Sequence, residues 1–185
     1  MTTTEIAAIV VVLVIFAALV VWYILRRQRT QKLRSRFGPE YEHAVNQLGR
    51  TKAEEDLVRR EKRVEKFPIR RISEPDRNRF AEQWHQTQTR FVDDPAGSIA
   101  EADRLVCQLM EARGYPVSDF ERRAADLSVD HPMVVRHYRA AHAVAERLDQ
   151  GQASTEDLRQ ALVNYRELFD ELLEAHTTGA RGVIR

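Results

Sequence analysis

The sequence predicts an all-α protein: a single N-terminal transmembrane helix, then a long charged helix, then a compact five-helix bundle on the cytoplasmic side. Three observations carry that expectation. An unbroken apolar run opens the chain, apolar residues recur at helical spacing through its second half, and no stretch alternates apolar and polar side chains as a strand would. Most of the few Gly and Pro residues fall where these helices should start or stop.

The apolar run is Ile6 to Leu25, twenty residues with no charge, amide or hydroxyl other than that of Tyr23. At about 1.5 Å per residue it extends about 30 Å, the thickness of a bilayer's hydrocarbon core. Ile6, Leu13, Phe16, Trp22 and Leu25 mark the span. Trp22 and Tyr23 fall at its C-terminal end, where amphipathic rings favour the headgroup level. A cleaved signal peptide would need a basic n-region and a small-residue cleavage site. This chain offers Met1-Thr2-Thr3-Thr4-Glu5 before the run and Arg26-Arg27 after it, so the run reads as an uncleaved anchor.

Arg26, Arg27, Arg29, Lys32, Arg34 and Arg36 follow the run with no acid among them, and no basic side chain precedes it. The positive-inside rule then places the C-terminal body in the cytoplasm and Met1 outside. The same collar could also contact anionic lipid, at about 1 kcal/mol per cation near the surface. Net charge is uneven. Residues 1–71 hold fifteen Lys/Arg against eight Asp/Glu, and residues 72–185 hold fourteen against twenty. An acidic body with no reader motif argues against nucleic acid as a partner.

Four segments follow from this pattern: an anchor with its collar (1–36), a charged helix and linker (37–71), the bundle (72–176) and a flexible tail (177–185). Phe37-Gly38-Pro39 reads as a hinge. Glu40 to Lys66 reads as one charged helix with sparse apolar positions at Tyr41, Val45, Leu48, Leu57, Val58 and Val64. The mixed run Arg59 to Arg63 reads as its solvated face. Pro68 ends helix at Phe67 and opens a linker to Ile72.

The bundle helices are punctuated one by one. The first starts near Pro75 and carries Phe80, Trp84, Thr87 and Phe91. Asp94-Pro95 caps the second, with Ile99, Ala102, Val106, Leu109 and Met110 inward and Gly114 just past its end. Ser118 with Glu121 reads as a capping box for a short third helix bearing Phe120, Ala124 and Leu127. His131-Pro132 opens the fourth, with Val134, Tyr138, Ala141, Ala145 and Leu148 before Gly151. Ser154 opens the fifth, with Leu158, Leu162, Tyr165, Phe169, Leu172 and Leu173.

Chemistry-bearing residues are sparse. His137 and His142 lie five apart, about 140° around a helix, and no HExxH or Cys pair exists, so neither a metal nor another cofactor is expected. Cys107 is a single thiol, which excludes an intramolecular disulfide, and it reads as a small core residue rather than a nucleophile. Asp93-Asp94 and Glu156-Asp157 fall at helix starts, where capping and the helix dipole account for them.

Phe37-Gly38-Pro39-Glu40-Tyr41, Arg60 to Lys66, Arg90 to Pro95, Ala100 to Val106 and Arg113 to Val117 together resemble a family of small, uncharacterised bacterial helical proteins with an N-terminal apolar segment, labelled membrane or secreted proteins. The resemblance covers nearly all of the chain after the anchor. It implies a bacterial inner membrane and no activity, ligand or site.

Two function classes follow. One is a membrane-tethered interaction module whose partners are the lipid bilayer and a cytoplasmic protein. The other is a membrane-anchored enzyme, such as a hydrolase, with a site assembled from scattered helices. A deep polar pocket with convergent carboxylates or histidines would mark the second, and an exposed apolar groove the first.

Overall fold

A computed structural model describes residues 3–116 and 118–174, with side chains from Leu13 onward. Among these residues the protein is all-α, with eight helices and no strand: α1 (Thr3–Phe37), α2 (Pro39–Leu48), α3 (Arg50–Val64), α4 (Glu74–Arg90), α5 (Pro95–Ala112), α6 (Phe120–Asp130), α7 (Val135–Asp149) and α8 (Thr155–Glu174). The expected tail, 177–185, lies outside the described residues.

Helices α4 to α8 are the five expected from the bundle sequence, and they share one core. α8 packs along both α5 and α7, while α4 covers α5. Trp84 of α4 stacks on Phe169 of α8 with ring centroids 4.6 Å apart, and Tyr138 meets Tyr165 edge-on at 6.3 Å. Ile99, Leu105, Leu109, Leu127, Leu168 and Leu172 are sealed from solvent between them. Each such side chain stabilises the fold by about 1.5–3 kcal/mol.

Local chemistry sets the helix ends. Ser73 caps α4 by accepting from the Asp76 amide, and Asp94 caps α5 by accepting from the Gly97 amide at 2.9 Å. Ser154 and Asp157 satisfy each other's backbone amides at the start of α8 (3.2 and 2.9 Å). At α6 the cap is Asp119 rather than the expected Ser118. The Asp119 carboxylate takes the Arg122 amide at 2.9 Å, and Glu121 turns outward to Arg139 instead of closing a box.

Gly114 ends α5 at φ +94°, and a Cβ there would lie 2.4 Å from the Pro68 carbonyl oxygen. That close approach holds the 67–72 linker against α5, where the Arg70 amide donates to the Arg113 carbonyl at 2.9 Å. The linker is therefore a packed strap, with Phe67, Ile69 and Ile72 against the bundle core.

The segment before the strap differs from expectation in three ways. The single charged helix is two helices, because Gly49 at φ +75° breaks it between Leu48 and Arg50. The hinge at Phe37-Gly38-Pro39 is a fixed corner. Gly38 takes φ +48°, and the side chains on either side are buried in a second core of Leu33, Phe37, Tyr41, Ala44, Ala53, Leu57, Val64 and Val129. Within the charged run, Arg60 is buried rather than solvated, and Arg63 pairs with buried Asp126. Only Val129, from α6, comes from the bundle, so the second core also joins α1, α2 and α3 to the larger one.

Register between α1 and α3 is nearly constant. The Thr30 hydroxyl donates to Glu54 at 2.8 Å, and Arg36 pairs with Glu61 at 2.9 Å. Those contacts advance six residues along α1 and seven along α3, so the two helices run side by side in the same direction. α2 runs back between them.

Candidate functional site

The residues singled out by the sequence lie on α1 and divide into two stretches. From Leu13 to Leu25, through Phe16 and Trp22, the large apolar side chains stand 39–64% exposed, and among the described residues none belongs to either core. Ile6 and its neighbours through Val12 lie outside the described side chains. Among the described residues no helix is long and apolar enough to cross a membrane.

In the second stretch the six collar cations do not act alike. The Arg26 guanidinium lies over the Trp22 ring, 5.3 Å from its centroid. Arg34 pairs with Glu42 at 2.7 Å and Arg36 with Glu61 at 2.9 Å, so the lower collar is turned to the body's own acids. Arg27, Arg29 and Lys32 are exposed and have no ion pair among the described residues. In the sequence the six read as one set. Leu33 and Phe37, one turn apart on the face that docks, are core positions that the sequence signals only by a spacing that continues to Tyr41.

Where the two cores meet, charge is concentrated and buried. Glu40, in the first turn of α2, accepts from Arg60 of α3 at 2.9 Å and from Arg139 of α7 at 3.1 Å. Arg60 also reaches Asp56 (2.7 Å) and Ser128 of α6 (3.3 Å), and Arg139 reaches Glu121 (2.8 Å). Beside them Asp126 takes Arg63 Nε at 2.6 Å on one carboxylate oxygen, while its other oxygen is buried without a hydrogen-bond partner. Burial outweighs the arginine and raises the Asp126 pKa. Opposed charges in a low dielectric hold their geometry tightly, so this junction reads as a mechanical joint.

A smaller polar cluster lies inside the bundle. Asp103 accepts from the Tyr165 hydroxyl at 3.1 Å and lies 3.9 Å from Cys107 Sγ, and Arg123 donates to the Tyr138 hydroxyl at 3.1 Å. Burial first, and the Asp103 charge after it, push the Tyr165 phenol and the Cys107 thiol upward. Cys107 is thus held as a neutral, weakly nucleophilic thiol, half-buried as a small packing residue.

Three histidines have separate partners. His131 meets Glu171 (2.9 Å), His137 meets Asn164 (3.0 Å), and His142 stacks on Phe120 at 3.5 Å between centroids. Among the described residues no group of three or more His, Cys, Asp or Glu could hold a metal ion. The acid pairs sit as capping predicts. Asp94 is held below the usual carboxylate range by Arg90, and Asp157 by the Ser154 hydroxyl. An open cleft of about 370 Å³ between α4 and α5 is lined by Arg70, Arg79, Phe80, Gln83, Gln108, Glu111 and Ala112. It brings no two carboxylates and no histidine together.

Compared with known proteins, the chain matches no family model, no curated protein and no solved structure.

Proposed function

We propose that the chain is a membrane-tethered helical module, which holds its acidic bundle at a bacterial inner membrane to recruit or regulate a cytoplasmic protein. One observation carries this reading. The exposed apolar stretch of α1 is continuous, within a single helix, with a stem that is locked into the body by Leu33 and Phe37. A helix that is apolar all round needs a protein core or a bilayer around it, and among the described residues the body supplies no core at Leu13 to Leu25. Basic residues below the apolar stretch and none above it favour a cytoplasmic body. Arg26, Arg27, Arg29 and Lys32 then face anionic headgroups, while Arg34 and Arg36 help hold the stem to the body.

Cell fractionation tests the tether. The full chain should pellet with membranes, resist alkaline carbonate and enter solution with detergent. Release by carbonate would contradict a spanning α1. The partner is tested by affinity purification from detergent-solubilised membranes, with a chain ending after residue 36 as the comparison. A protein retained only by the full chain supports the module.

A further inference from the structure

We propose that the α2–α3 corner, Leu48 to Lys52, is a second membrane contact that takes anionic lipid headgroups; this rests on α1 being the span. Leu25 ends the continuous apolar stretch of α1, and Thr30 lies five residues, about 7–8 Å, below it. Thr30 is hydrogen-bonded to Glu54, and α3 runs alongside α1 in the same direction. Four residues earlier on α3, about 6 Å higher, Arg50 comes to the level of Arg26, within the headgroup layer. The corner is thus carried back up to the leaflet by α2, after α1 has descended to Gly38.

Its chemistry matches that position. Leu48 is an apolar side chain left 43% exposed at the tip, although it lies on a helix whose other apolar residues pack inward. Arg50 and Lys52 follow it, both exposed and with no ion pair among the described residues. No acid interrupts residues 43–53, and the next one, Glu54, is occupied by Thr30 and Tyr41. Gly49 makes the corner tight and open, with no heavy atom within 4 Å of where a Cβ would stand. An apolar tip followed by two exposed cations is complementary to an anionic leaflet. Two contacts, the span and this corner, fix the tilt and rotation of the body, where one flexible tether would let it swing.

The test uses the full chain in liposomes, with Cys107→Ser and either Leu48→Cys or Met133→Cys labelled by an environment-sensitive fluorophore. Met133 packs beside Gly38 and is exposed, thirteen residues or about 20 Å below Leu25, so it reports the level of the body. With phosphatidylglycerol in the bilayer, the label at 48 should shift to the blue and be quenched by headgroup-depth spin-labelled lipid, and the label at 133 should do neither. Arg50→Glu with Lys52→Glu, both at exposed positions, should bring quenching at 48 down to that of 133. If the chain floats with liposomes but label 48 behaves like label 133, the corner does not touch the membrane and the tether stands. If the chain does not float with liposomes at all, the tether falls and the inference falls with it.

Discussion

Glu40 and Arg139, ninety-nine residues apart, meet at 3.1 Å and tie the α1–α3 unit to the bundle. Glu40 is shared with Arg60, so one carboxylate serves two guanidinium groups at a buried joint. Removing it leaves two guanidinium groups close together, with Asp56 the one carboxylate left to Arg60 and Glu121 the one left to Arg139 among the described residues. Glu40→Ala should cost up to about 3–5 kcal/mol, the range for breaking a buried pair from one side. Arg139→Ala should cost less, because Glu40 keeps Arg60. Denaturant unfolding of the full chain in detergent measures both, and equal losses would show that the joint is not centred on Glu40.

Phe37 has no exposed surface and stands where the stem enters the second core. Phe37→Ala should destabilise by about 3–5 kcal/mol, the range for emptying a buried aromatic site. It should also free the stem, seen as faster amide exchange in α2 and α3 than in α5 and α8. Uniform exchange across both units would place Phe37 outside any separate joint.

Two glycines should respond differently to the same substitution. Gly49→Ala carries only backbone strain, about 1–3 kcal/mol for φ +75° with ψ 154°, since nothing stands near the added methyl. Gly114→Ala adds a collision with the Pro68 backbone, so it should lose about 2 kcal/mol or more and loosen the strap. Thermal melts of the two variants compare them directly.

Most of the bundle was legible in the sequence because its signals are local. Asp94, Ser154 and the glycines mark helix ends, and the spacing of Phe80, Trp84 and Thr87 marks a buried face. The α1–α3 unit was not, because its determinants are not local. Arg60 reads as solvated beside four other charged residues, and only the return of α2 and the approach of α6 bury it. Gly49 lies among polar residues where apolar periodicity is too thin to show a break. Ser118 and Asp119 are both good caps, and the choice between them depends on where the chain leaves the preceding turn. Of the candidate site, the apolar stretch and the collar were visible, but not the division of the collar between body and surroundings.

Asp126 should give the protein a distinctive pH dependence. Burial raises its pKa, so the folded state binds a proton more tightly than the unfolded one. Stability from this group is then greatest below the unfolded carboxylate range, near pH 4, and is lost as pH rises through the raised folded value. Asp126→Asn removes that dependence. Its stability relative to the wild type should therefore increase as pH goes from about 4 to 7, by paired denaturant melts. A relative decrease over that window would mean that Arg63 outweighs burial.

In the proposed arrangement α1 holds the body at the inner face of a membrane. Fusion of alkaline phosphatase or of green fluorescent protein after Arg185 in a bacterial host tests it most directly, because the phosphatase is active only outside the cytoplasm and the fluorescent protein reports folding within it. Six cations after the apolar stretch and none before it predict a membrane-bound fluorescent fusion and an inactive phosphatase. An active phosphatase with a dark fluorescent fusion would place the body outside and contradict the account.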